Sequence, residues 1–416
     1  MNKNLIKILF LFFAVSQFLF AQGGPIYSRY GIGDQIPSHT ARRMGFGDLG
    51  SAIIDKDYVD GYNPASWTSL TLTRFGISGK FLGSSYEDNN SSVYYNNFIF
   101  SGFTLGFPIY KDLGVSMAIG LIPISALGYE IVESSSDSLF GNFTNNYKGS
   151  GSLSKIFIGM STILPFKFSL GGMFEYYSGT NHYSTTRDFT NSSSFSKIYY
   201  DTRYKYSGLG TTLSLISGNI FEYFDKKTNL EFRLSGMANY VANLTTDTTL
   251  VTGTSIGELT PREGEVITKI PTKYTFGALF GWNHEYSVLL DYVYQPWNEY
   301  TFDGKYEKNF KELVRYSLGF QYKPVVRSMH ATSWEQMSLR CGLSYEETQY
   351  SFEGNNIDAF SIHAGITFPF SAVNLIDFGL AFGIRGKKEN NLVKEQFIKA
   401  AVTLSLGELW FQREER

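Results

Sequence analysis

The sequence predicts an all-β protein, a transmembrane antiparallel β-barrel of about 14 strands with an N-terminal plug, or hatch, in its lumen. Three observations lead there. Charged residues make up 18% of the 416 residues, below the roughly 25% of soluble domains, while 29 Tyr, 36 Phe and 41 Gly run high. From about residue 69 to the C-terminus, apolar side chains alternate with small or polar ones at period two, the repeat of a strand. Residues 1–21 read as a secretory signal, and no other segment is apolar and long enough for a helical span. A secreted chain without a spanning helix crosses a membrane only as a closed barrel.

In chain order, the signal has Lys3 and Lys7 at its positive end, then the apolar runs Leu9–Phe13 and Phe18–Phe20, with Ala21 before the cleavage site. An uncleaved N-terminal anchor is the other reading. Residues 22–68 are expected to form the plug. Within them Ala41–Trp67 does not alternate; it is dense in Gly (Gly45, Gly47, Gly50, Gly61), carries mixed charge and closes on Asn63-Pro64-Ala65. Gly45–Gly50 satisfies G-x-G-x-x-G literally, but no βαβ pattern surrounds it, so the glycines are read as tight turns in a crowded lumen. Asn63-Pro64-Ala65 reads as a turn that ends the plug, and the Asn amide is expected to dock it to the wall.

Residues 69–416 are expected to be the barrel. In one strand Leu170, Phe174 and Tyr176 alternate with Gly171, Met173 and Glu175; in another Phe378, Leu380 and Phe382 alternate with Asp377, Gly379 and Ala381. The large parity suits lipid and the polar parity suits a wet lumen. A soluble β-sandwich would instead bury its large parity. Lumen-facing charges are expected at Glu175, Arg233, Asp291, Arg315, Arg340 and Arg385, with Arg74, Lys80, Glu231, Asp377 and Lys399. They form either a ligand site or a hydrated ionic wall that holds Arg42, Arg43, Asp48 and Asp55 of the plug. Tight turns at Tyr110–Asp112, Pro165-Phe166 and Asn283–Glu285 define one rim; polar loops at Glu133–Tyr147, Thr185–Ser196 and Thr245–Ile267 define the other. Tyr129, Tyr177, Tyr199, Trp297, Tyr300 and Trp410 are expected in interfacial girdles. The third strand carries Gly120-Leu121-Ile122-Pro123 at its middle. Proline has no N–H for a ladder, so Pro123 predicts a local gap in the wall, or a plain bulge.

Ala41–Gly50 (ARRMGFGDLG), the acidic Asp55–Asp60 and Asn63-Pro64-Ala65, placed before such a barrel, resemble the FadL-type outer-membrane transport family. The resemblance implies a fourteen-stranded barrel filled by a hatch, import of long-chain fatty acids and other hydrophobic compounds, and a kinked third strand that opens the wall sideways, here at Gly120–Pro123. The expected function is an outer-membrane uptake channel for hydrophobic small molecules. The alternative is a structural or secretion-accessory barrel, because some members of that family partner secretion machinery. The five His residues (39, 182, 284, 330, 363) are scattered and no H-E-x-x-H, C-x-x-C or G-x-S-x-G occurs, so no enzyme, metal site or cofactor is expected. A net charge of -2 gives no reason to expect nucleic acid, and a single Cys341 allows no disulfide framework. Expected partners are outer-membrane lipid and a hydrophobic ligand, with the chain monomeric.

Overall fold

The computed structural model describes residues 26–89, 91–137, 141–189, 196–225, 228–254, 257–258, 261–325, 332 and 334–408. The expected signal at 1–21 and Trp410 lie outside the described residues. Among the described residues, twenty strands join one sheet. In chain order they are β1 (Asp34–Gln35), β2 (Thr73–Glu87), β3 (Ser92–Tyr110), β4 (Val115–Asp137), β5 (Gly141–Ile163), β6 (Ser169–Phe189), β7 (Ile198–Ile216), β8 (Leu230–Val241), β9 (Leu244–Thr254), β10 (Gly257–Glu258), β11 (Arg262–Lys269), β12 (Lys273–Trp282), β13 (Tyr286–Gln295), β14 (Thr301–Phe302), β15 (Lys305–Tyr306), β16 (Leu313–Tyr322), β17 (Ser338–Phe352), β18 (Asn355–Pro369), β19 (Leu375–Arg385) and β20 (Lys394–Glu408). Neighbours run antiparallel, and β20 closes on β2 from Thr73↔Glu408 to Glu87↔Lys394.

Four wall positions are built in two pieces. β8 and β9 both pair with β7; β12 pairs with β8 while β11 pairs with β9; β13 and β14 follow in the same way, then β16 and β15. The result is a closed fourteen-stranded antiparallel barrel. Two of the four breaks fall at Pro271 and Pro296, where a ladder donor is missing. They bend the wall and turn Trp297, Tyr300 and Phe310 inward, onto Tyr177, Tyr206 and Tyr350. This corrects the girdle expectation: Tyr177, Trp297 and Tyr300 are at most 2% exposed and Tyr129 is buried. Tyr177 shares the parity of Gly171, Met173 and Glu175, so the strand itself sends it to the lumen.

Within the described residues, the expected long polar loops are mostly strand. β4 and β5 pair up to Asp137↔Gly141, β6 reaches Phe189, and β9 pairs β11 from Leu244↔Thr268 to Leu250↔Arg262. These Ser/Thr/Asn-rich stretches lack an apolar parity because water bathes both of their faces, yet the neighbouring strand still offers a full ladder. Lower on the wall Phe174, Leu209, Phe276, Leu290, Phe360 and Phe382 stand exposed outward, a belt suited to acyl chains. Among the described residues no helix is long and apolar enough to cross a membrane.

Residues 26–70 precede the wall. They hold β1, one short helix α1 (Ala41–Met44) capped by the Thr40 hydroxyl, and a 3-10 turn at Pro64–Ser69 capped by Asn63. This segment bonds to β4 through Ser125, to β7 through Ser214, to β13 through Asp291, to β16 through Ser317 and to β20 through Thr403. Contacts on every side place it within the lumen.

Candidate functional site

The wall is interrupted between β3 and β4. Their ladder runs from Tyr110↔Val115 to Phe103↔Leu121 and stops. Beyond it, β3 stays paired to β2 and β4 stays paired to β5, but not to each other. The β4 register to β5 slips between Pro123 and Ser125, so Ile124 is an extra residue. The slip resets the parity: Ala118 and Ile122 face inward before it, Ser125 and Leu127 after it. Higher up, the Tyr95 hydroxyl donates to the Glu130 carbonyl at 3.2 Å, bridging the seam through a side chain. The freed edge of β4 is taken from inside by β1, which pairs Asp34↔Ala126 and Gln35↔Ser125, with the Ile36 N–H donating to the Ile124 carbonyl at 2.9 Å. Gly120 to Pro123 therefore lie where the β3–β4 ladder ends.

The segment packs on wall glycines. A Cβ at Gly342 would stand 2.6 Å from the Gly47 nitrogen, one at Gly379 2.5 Å from the Ala41 carbonyl oxygen, and one at Gly171 2.3 Å from the Ala65 nitrogen. Gly47 itself has φ +84°, in the left-handed region, with its backbone against the Leu343 carbonyl. Gly45 opposes Gly365, and Gly50 (φ +115°) turns the chain so that its N–H and that of Ser51 donate to Asp291, each at 2.9 Å. Asn63 differs from expectation. Its amide donates to the Ser51 carbonyl and its oxygen accepts from the Ala65 N–H, so both bonds stay within the segment. The wall contact comes instead from the Ala65 N–H to Ser214 Oγ at 2.8 Å and from Thr68 against Ser169.

Charges complete the docking. Arg315 faces Asp48 at 3.5 Å and also binds Glu346; Arg385 binds Asp34 at 2.9 Å and Glu395 at 2.7 Å; Arg74 binds Asp57; Lys323 binds Asp55 at 3.1 Å. Arg340 meets Asp377 at 3.3 Å, and Tyr58 of the segment donates to Asp377. Glu175 is fully engaged by Lys155, Tyr177, Thr212 and Asn239. Two expectations change. Arg42 and Arg43 pair inside the segment with Asp55 and Asp60 rather than with the wall. Arg233 and Glu231 pair with each other, half-buried, and bond nothing in the segment. His39 is fully buried, with both ring nitrogens lacking a partner among the described residues. Burial, opposed by Asp60 and aided by Arg43, Lys155 and Lys80, depresses its pKa to about 4.

Two cavities flank residues 35–37. The first, about 1070 Å³ and partly open to solvent, has an apolar side formed by Val241, Ile270, Val293, Trp297 and Leu313 and a polar floor that includes Lys155 and Lys273. Lys273 has no ion-pair partner among the described residues and stands 5.3 Å from the Tyr62 ring. Neither lysine was singled out from the sequence, yet Lys273 continues the Thr275–Gly277 parity by two residues. The second cavity, about 800 Å³, backs onto the β3–β4 seam. Among the described residues no group of His, Cys, Asp and Glu is arranged to hold a metal. Ser344 and Ser361 each approach His363 Nε2 at 3.0 Å, and among the described residues no carboxylate bonds its Nδ1, the place of the orienting member in a catalytic triad.

The fold and its enclosed segment define an outer-membrane barrel of the FadL-type architecture. The chain belongs to the BamG family, whose model matches residues 1–415. Among solved structures it is similar to the Pseudomonas putida toluene transporter TodX (TM-score 0.62, 15% identity, 89% of this chain and 98% of that one). It is also similar to the CymD monoaromatic hydrocarbon channel (TM-score 0.61, 16% identity, 91% and 100%) and to a Pseudomonas aeruginosa FadL homologue (TM-score 0.58, 10% identity, 89% and 98%). No curated protein sequence matches the chain.

Proposed function

We propose that this protein is an outer-membrane channel for uptake of hydrophobic small molecules, long-chain fatty acids among them. The observation that carries the reading is the interrupted β3–β4 ladder, whose free β4 edge is covered from inside by the luminal segment, through Asp34 to Ile36 and Ser28. A ligand enters from the long-stranded rim and rests in the apolar cavity beneath Trp297. Movement of residues 34–37, acting as the hatch, then lets it leave sideways into the membrane at Gly120–Pro123. The hydrocarbon channels of the same architecture support this reading by fold. Uptake of radiolabelled oleate and toluene by deletion and complemented cells tests it. Uptake restored by complementation is expected, and equal uptake in both strains overturns the proposal.

A second reading, an accessory barrel for secretion machinery without transport, is favoured by the density of ion pairs that pin the segment. A stable stoichiometric partner in a pull-down, together with unchanged uptake in the deletion strain, would carry that reading instead.

A further inference from the structure

The second cavity lies directly behind the wall interruption. Its mouth is flanked by Asn97 and Ile99 of β3 and by Ala126 and Leu127 of β4, between the last ladder pair at Phe103↔Leu121 and the Tyr95–Glu130 bridge. Its apolar lining is Leu82, Ile99, Leu127 and Phe397. Its charges are Lys80, Arg385 and Lys399 against Asp34 and Glu395. Arg385 takes both carboxylates, at 2.9 and 2.7 Å. Asp48 acts electrostatically on Lys80 and Lys399 without touching either, because Arg315 at 3.5 Å and the Ser38 hydroxyl at 2.6 Å engage it.

Among the described residues of this cavity, two ammonium groups have no carboxylate in contact. Lys80, 7% exposed, donates only to the Ser38 carbonyl at 3.0 Å. Lys399 has no hydrogen bond or ion pair among the described residues and stands 4.4 Å from the Phe397 ring. A buried cation with no carboxylate in contact is costly, so Lys80, with the half-buried Lys399 lining the same cavity, marks a place for an anion. Apolar walls that lead from that place to a gap facing lipid mark a place for a chain.

We propose that this cavity is a second binding site, distinct from the one beneath Trp297. It takes a single anionic head, carboxylate or phosphate, on Lys80 and Lys399, with the attached acyl chain running out through the seam. The inference deepens the channel reading and rests on it only for the route by which a free carboxylate arrives. A bilayer phospholipid would reach the same site through the seam itself.

Native mass spectrometry of the purified full chain in neutral detergent tests this, with dodecanoate, dodecanol and phosphatidylglycerol as probes. One dodecanoate or one phosphatidylglycerol per barrel is expected, and dodecanol is not retained. Lys399→Gln should weaken retention by about tenfold, the loss of one charged hydrogen bond, and K80Q/K399Q should abolish it. Leu127→Trp, which fills the cavity without touching a charge, should also block it; Lys273→Gln in the first cavity should not. Heat-modifiable mobility on gels confirms that each variant is folded. Tighter phosphatidylglycerol binding assigns the site to bilayer lipid and tighter dodecanoate binding assigns it to cargo. Equal retention of dodecanol, or unchanged retention in K399Q and L127W, overturns the site. Uptake that fails while retention persists overturns the channel reading alone, and the reverse overturns the site alone.

Discussion

At the scale of single residues, Asp291 and His39 set how firmly the segment sits. Asp291 accepts from two backbone N–H groups and from the Ser51 hydroxyl. Asp291→Ala orphans those donors at a cost of about 3 kcal/mol. Amide exchange at Gly50 and Ser51 should quicken by about two orders of magnitude while the wall stays protected. His39 works through protonation. Its pKa falls from 6.5 to about 4, so the docked segment favours the neutral ring. That contribution is complete above pH 6.5 and is lost as pH falls toward 4, about 3 kcal/mol in all. Proteolysis of residues 26–70 should therefore speed up between pH 7 and pH 4.5, and His39→Phe should flatten this dependence. Asp60, Arg43, Lys155 and Lys80 surround the ring, so the same scan on the His39→Phe background isolates their share.

At the scale of elements, the decisive feature is one extra residue in β4. Deleting Ile124 keeps Ser125 and Leu127 facing inward, because it removes the residue that resets the parity. The ladder to β3 can then continue past Leu121, and β1 loses its partner. Uptake is expected to fall several-fold with the barrel still heat-modifiable; unchanged uptake would rule out this seam as the exit. The fourteen wall positions were legible in the sequence because each keeps a clean alternation over its lipid-facing stretch. Pro123 was legible as a defect because proline cannot donate to a ladder. The partner that β1 finds there was not, because Asp34-Gln35 carries no period of its own. Strand continuations such as Thr245–Thr254 stayed hidden for a related reason: a strand wet on both faces looks like a loop. Trp297 and Tyr300 were misplaced because aromatic residues near a strand end suit an interface equally well, and only the bend at Pro296 decides otherwise.

At the scale of the whole molecule, the segment ties the barrel's two terminal strands together from inside. Asp57 binds Arg74 of β2 while its carbonyl accepts from Ser405 of β20 at 2.7 Å, and the Ala41 N–H donates to Thr403 of β20 at 2.8 Å. Deleting residues 26–70 should lower the temperature at which the folded band disappears in a heated gel series, with exchange accelerating first along β2 and β20. Docking glycines spread over β6, β16, β17, β18 and β19 make the fit specific, since a Cβ at any of Gly171, Gly319, Gly342, Gly365 or Gly379 meets segment backbone or Cβ at 3.1 Å or less. Charges at the expected lumen positions were readable from parity. Which of them would pair with the segment, as Arg315 and Arg385 do and Arg233 does not, depended on a shape the sequence alone does not display.

The tie across β2 and β20 also bears on the order of assembly. A segment that touches both strands of the closing seam has its full set of contacts only once β20 meets β2. If it docks while the wall is still an open sheet, residues 26–70 are on hand when the last strand arrives, and the β2–β20 pairing completes their contacts. Assembly in that order is a wrapping process, in which residues 26–70 serve as the mandrel and closure is the final step.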